Sequence, residues 1–141
     1  MKNRIFSLFI CVLLLLTAVP VFAHHSFSSE YDINQPVTLK GKLTKLEWIN
    51  PHGWIYIDVT GADGKVVNWA IETGSPNALL RRGLRKEDFP LGVELTVKGF
   101  RAKNGTATAN GRSITLPDGR ELFAGSSGTG APRDGADPTE R

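Results

Sequence analysis

Gly74-Ser75-Pro76-Asn77-Ala78-Leu79-Leu80-Arg81-Arg82-Gly83 breaks the period-two alternation of the chain, and its place among the strands decides the fold. Ser75 is a good N-cap, Pro76 fits the first helical position, and Gly83 can close a short helix after Arg82. Before it, Val37, Leu39, Gly41 and Leu43 alternate with Thr38, Lys40, Lys42 and Thr44, the pattern of a half-buried strand. Leu46 and Trp48 continue on the other parity, which predicts a bulge near Thr44-Lys45. Asn50-Pro51-His52-Gly53 reads as a turn. Trp54 to Val59 is a second strand, Gly61-Ala62-Asp63-Gly64 a hairpin turn, and Val66 to Glu72 a third strand. After the helix, Phe89-Pro90-Leu91-Gly92 leads into a strand from Val93 to Phe100. Lys103-Asn104-Gly105 turns the chain into a strand from Thr106 to Leu116, and Arg120 to Phe123 is a short last strand. Three strands, one helix and two strands plus a short addition is the order of a small OB-fold-like closed barrel, all-β apart from its helix. A meander-type β-sandwich is the alternative; an immunoglobulin-type sandwich needs more strands and no such helix.

Working outward to the N-terminus, residues 1–23 read as a secretory signal. Lys2 and Arg4 form a basic start, Ile5 to Leu16 an apolar run, and Val21 and Ala23 fit the −3 and −1 positions of a peptidase site. The run is shorter than the roughly 20 apolar residues of a membrane span, so no transmembrane anchor is expected after cleavage. Cys11 lies inside the run instead of after it, which argues against a lipid anchor. The expected location is periplasmic or secreted. Cleavage removes the single cysteine and two of the cations behind the formal charge of +3. The mature protein is then near neutral, and a nucleic-acid partner is not expected. Residues 24–34 are expected to form an arm whose Phe27 and Tyr31 dock on the barrel domain, residues 35–123. Residues 124–141, rich in Gly, Ser and Pro, are expected to be a disordered tail.

Ala23-His24-His25-Ser26-Phe27, Glu47-Trp48-Ile49-Asn50-Pro51-His52-Gly53-Trp54, Asn68-Trp69-Ala70 and the helical stretch from Gly74 to Gly83 also form a combined signature. It resembles a family of small exported bacterial proteins classed as a domain of unknown function, from the signal to about Gly125. The resemblance implies export and a small β-rich domain; it implies no activity.

All three histidines fall in these motifs. Cleavage after Ala23 would leave a free amine on His24 beside the rings of His24 and His25. An α-amine has a pKa of about 7.7–8.0 and can coordinate near neutral pH. Amine and imidazole nitrogens in a tetragonal array suit Cu(II). His52 lies in the loop between the first two strands, one of the two habitual ligand loops of an OB barrel. His24, His25 and His52 are therefore the candidate metal ligands, copper the candidate cofactor, and the arrangement resembles a histidine brace. The plain alternative is a polar start to the mature chain and a histidine that serves its turn.

Trp48, Asn50, His52 and Trp54 make up a candidate ligand-binding loop, its aromatics able to stack on a flat ligand. Trp69 reads as core. Arg81, Arg82, Arg85 and Lys86 form a basic cluster that complements a helix C-terminus, with an anionic partner as the functional alternative. No catalytic residue is assigned. Glu47, Asp58 and Glu72 are scattered over different strands, and no nucleophile elbow, phosphate loop or zinc-site spacing occurs. The expectation is an exported, non-catalytic module for a small ligand or protein partner, with copper transport, buffering or redox chemistry as the alternative.

Overall fold

The computed structural model describes residues 27–125. The signal segment, His24, His25 and most of the tail therefore lie outside the described residues. Within them the elements run α1 (Phe27–Glu30), β1 (Tyr31–Glu47), β2 (Trp54–Thr60), β3 (Val66–Glu72), α2 (Pro76–Arg81), a 3-10 turn (Lys86–Asp88), β4 (Glu94–Ala102), β5 (Thr108–Thr115) and β6 (Glu121–Phe123). The six strands form one sheet in the order β3-β2-β1-β4-β5-β6. A parallel pairing of Ala70–Glu72 in β3 with Thr108–Asn110 in β5 closes it into a ring. All other strand pairs are antiparallel. This is the expected all-β, OB-like order with the helix between β3 and β4.

β1 holds the ring together because it serves two neighbours. Residues from Tyr31 to Lys42 pair with β4, and residues from Lys42 to Glu47 pair with β2. The strand turns from one partner to the other around Gly41. A Cβ at that position would stand 2.3 Å from the carbonyl oxygen of Asp58, closer than any side chain tolerates, so the bend needs glycine. The expected bulge is present as a register shift between Leu43 and Lys45, which reverses the parity of the side chains that follow. Leu46 thereby packs toward the core opposite Ile55, as Leu43 does opposite Ile57. β2 itself alternates regularly, with Ile55 and Ile57 buried in the ring and Trp54, Tyr56 and Asp58 on its other face.

The inner faces contribute Leu39, Leu43, Ile55, Ile57, Ile71, Leu95, Val97 and Ile114 to one core. Helix α2 belongs to that core. Six residues are too few for a helix to persist alone in water; this one is capped at Ser75, whose Oγ accepts from the Ala78 amide at 3.3 Å. Its Leu79 and the following Leu84 and Phe89 pack into the same cluster. Gly83, at φ +88°, lets the chain leave the helix. A smaller apolar cluster of Phe27, Tyr31 and Ala102, with Phe100 against it, seats α1 on the outside of the ring.

The basic cluster is split by this packing. Arg82 is buried, donates to the Gly125 carbonyl at 2.7 Å and lies 4.7 Å from the centre of the Phe123 ring. It ties the helix to the end of the last strand, whereas Arg81, Arg85 and Lys86 are exposed.

Two substitutions test this account by urea unfolding. Gly41→Ala should destabilise the domain by ~2–3 kcal/mol through backbone overpacking. Leu79→Ala should cost ~2–5 kcal/mol through loss of packing and a residual cavity. Neither should change the slope of free energy against urea.

Candidate functional site around His52, Glu72 and Tyr31

The loop from Trp48 to Gly53 is held against the β3–α2 connection. The Gly53 amide donates to the Gly74 carbonyl at 3.1 Å, and the Thr73 amide donates to the Gly53 carbonyl at 2.8 Å. Asn50-Pro51 is a cis peptide bond. This frame fixes the backbone immediately after His52 and brings the ring of His52 to the last residue of β3.

That residue is Glu72. In the β2–β3 hairpin Glu72 lies opposite Trp54, and opposed residues share a face of the sheet. Glu72 is buried, at 8% exposure, and a buried carboxyl group needs hydrogen-bond partners. It has one on each oxygen. His52 Nδ1 contacts Oε1, and the Tyr31 hydroxyl donates to Oε2 at 2.6 Å. Burial above all, and then Glu72, hold the Tyr31 phenol well above the ordinary tyrosine range. His52 is partly exposed, and its Nε2 has no partner among the described residues.

Tyr31 reaches Glu72 from the N-terminal side of the molecule. Its ring lies 5.7 Å from that of Phe27, and Phe27 meets Phe100 edge-on at 5.4 Å. The Lys103 amide donates to the Glu30 carbonyl at 2.8 Å, so α1 is tied to the β4–β5 turn. Between α1, the start of β2 and this turn opens a cleft of about 640 Å3, lined by Glu30, Tyr31, Trp54, Lys103, Asn104 and Thr108 among others. In an OB fold the β2–β3 face and the β1–β2 and β4–β5 loops are the binding surface. The cleft lies on that surface, beside the loop that carries His52.

The predicted ligand residues thus have different surroundings. His52 and Trp54 lie near Glu72. Asn50 is exposed at the loop tip. Trp48 turns the other way, 5.9 Å from Phe89 and against the core. Trp69 is half-buried against the core with Arg101 over its ring at 5.6 Å. His24 and His25 lie outside the described residues. Among the described residues, no three His, Cys, Asp or Glu side chains form a group that could hold a metal ion. None of the helices among them is long and apolar enough to cross a membrane.

Neither Glu72 nor Tyr31 was assigned to a site from the sequence: Tyr31 was expected only to dock the arm on the barrel, and Glu72 stood among acids scattered over different strands. The signal was in the hairpin: pairing outward from the Gly61–Gly64 turn sets Glu72 opposite Trp54, two residues from His52. For Tyr31 no comparable local signal exists, since it meets Glu72 across 41 positions.

The family described as "Family of unknown function (DUF6152)" matches residues 12–111, more than half of the 141-residue chain. The chain belongs to this family. No curated protein and no solved structure matches the chain. Membership in DUF6152 fixes kinship and leaves the chemistry to be argued from the site.

Tyr31→Phe should destabilise the domain by ~1–3 kcal/mol at neutral pH, because one buried Glu72 oxygen loses its donor. The raised phenol adds an alkaline effect. The unfolded chain loses the Tyr31 proton above about pH 10 while the folded one keeps it. This tyrosine's stabilising contribution is therefore complete below that pH and falls as pH rises past it. Urea midpoints measured from pH 8 to 11 should show that decline in the wild type and a weaker one in Tyr31→Phe.

Proposed function

We propose that this member of DUF6152 is an exported, non-catalytic binding module that works in the periplasm or outside the cell. Its binding face is the surface around His52 and Trp54, and its ligand is a small molecule or a segment of a partner protein. The observation that carries this reading is the cleft beside Trp54 and the β4–β5 turn, on the surface that OB folds use for ligands. A half-exposed indole next to Lys103, Asn104 and Thr108 offers one stacking plane and several polar contacts. Native mass spectrometry of protein recovered from the periplasm tests two parts of this reading. The chain mass should begin at His24. A bound mass should be retained by the wild type and by the remote Lys98→Ala variant, and lost in Trp54→Ala. A chain that keeps residues 1–23 overturns export; a bound mass indifferent to Trp54→Ala overturns the assignment of the face.

A second reading, in which the ligand is copper, is supported by the contact between His52 Nδ1 and Glu72. Histidines that bind metals usually engage a carboxylate or carbonyl through the other ring nitrogen. His52 would supply Nε2, and a processed N-terminus would supply the His24 amine and ring, with His25 as substitute or outer ligand. His24 lies three residue steps before Phe27, a reach of ~10 Å when extended. Phe27 is joined to His52 through Tyr31 and Glu72. Such a nitrogen set suits Cu(II) and would serve transport, buffering or redox chemistry. Competition titration against a chromophoric chelator should give tight, equimolar Cu(II) binding by protein that starts at His24. Binding should be lost in His52→Ala and in protein carrying one extra residue before His24. Equal binding by all three proteins would assign the copper to adventitious surface sites.

A further inference from the structure

We propose that Glu72 is the positioning residue of this site. It commits His52 to the tautomer that carries hydrogen on Nδ1 and offers Nε2 to a metal ion, and Tyr31 locks Glu72 in that role. The inference rests on the copper reading and adds two residues to it.

The geometry leaves Glu72 little freedom. Its backbone is fixed twice, opposite Trp54 in the hairpin and opposite Asn110 in the parallel pairing that closes the ring. Its side-chain partners among the described residues are Tyr31 and His52, and none of the described lysines or arginines is paired with it. A carboxylate accepts hydrogen bonds and does not donate them. The tyrosine must therefore donate to one oxygen and the imidazole to the other. A neutral imidazole that donates through Nδ1 has its lone pair on Nε2. Nε2 is also the nitrogen without a partner among the described residues, on a ring exposed to 23%. A hydrogen bond of this kind raises the basicity of the ligating nitrogen and holds its ring plane, the effect that outer-shell carboxylates have on metal-bound histidines.

A loop histidine serving only its turn would need none of this. The burial of a carboxyl group, its separate donor on the second oxygen, and an Nε2 with no partner among the described residues together describe a ligand held ready before its metal arrives. The class of metal follows from the donors. One imidazole from the ring, joined by amine and imidazole from the N-terminus, favours Cu(II) over ions that prefer oxygen.

The test uses the processed protein starting at His24, with Glu72→Gln and Tyr31→Phe. Glutamine keeps the size and one acceptor of Glu72 but removes its charge. In metal-free wild type, long-range proton–nitrogen correlation spectra should show His52 protonated on Nδ1 at neutral pH. Glu72→Gln should weaken Cu(II) binding ~10–100-fold and change the copper–nitrogen hyperfine pattern in electron paramagnetic resonance, with the fold intact by circular dichroism. Tyr31→Phe should move both quantities in the same direction by less. Wild-type binding with unchanged affinity and spectra in both variants overturns the positioning role and leaves the copper reading standing. His52 found with its only ring hydrogen on Nε2, or protonated on both nitrogens at neutral pH, overturns the inference without reference to copper. Wild-type protein that shows the Nδ1 tautomer but binds no Cu(II) overturns the copper reading, and the metal role of Glu72 with it. If Glu72→Gln fails to fold, Tyr31→Phe and the wild-type tautomer decide the matter.

Discussion

The bend of β1 at Gly41 is the constraint on which the ring depends. One strand pairs with β4 along its first part and with β2 along its last, so it must change direction where it passes between them. That change brings the Gly41 backbone against the Asp58 carbonyl. The same device recurs where β4 meets β5. A Cβ at Gly99 would lie 2.1 Å from the Asn110 carbonyl oxygen, next to a register shift between Lys98 and Gly99. Strongly coiled sheets need such points of close approach. Without them β3 and β5 would not meet, and the outer face that carries Trp54, Glu72 and Asn110 would not be assembled.

The chemistry of the site follows from a polar group placed where the outer face is covered. Glu72 projects from the ring on the side overlain by Tyr31 and the loop of His52, and coverage removes it from water. Tyrosine and histidine then complete its hydrogen bonding, and the result is an imidazole whose orientation is set by a partner. The same coverage seats α1, so the start of the described chain and the loop of His52 are parts of one packed unit. The copper reading gains its plausibility from this connection, since it requires the N-terminus and His52 to come together.

Much of the architecture was legible in the residues because it is governed by local rules. Alternation located the strands, the switch of parity at Leu46 located the bulge, and Ser75-Pro76 with Gly83 located the helix. The strand order followed from these and from where the helix fell. The start of β1 was less legible. Tyr31, Asp32 and Asn34 read as arm residues, yet β1 begins at Tyr31. Its pairing there is sparse, with Tyr31 opposite Ala102 and a register shift before Pro36, so no regular alternation marks it. The loop histidine and Trp54 stood out by type and spacing. Trp48 carried the same signals, and it is the fold that separates them, packing Trp48 on Phe89 and the core while Trp54 stands opposite Glu72 at the cleft. Hairpin pairing alone places Glu72 opposite Trp54 and near His52, but its burial and its bond to Tyr31 carry no local signal, because a glutamate at a strand end usually faces water.

The parallel pairing of β3 with β5 joins residues nearly forty positions apart through three pairs, Ala70 with Thr108, Ile71 with Ala109 and Glu72 with Asn110. Contacts of that separation require ordering a long intervening loop before they return any stabilisation. The seam is therefore expected to zip up late, after the hairpins on either side have formed. Glu72 is its final tooth. While the seam is open, water can solvate the carboxyl group, and nothing compels it to hold an imidazole. Once it shuts, an unmatched carboxyl group would pull against the closure. Assembly of the domain and the pairing of Glu72 with His52 thus become a single event, and a chain caught half-folded would leave the imidazole unheld.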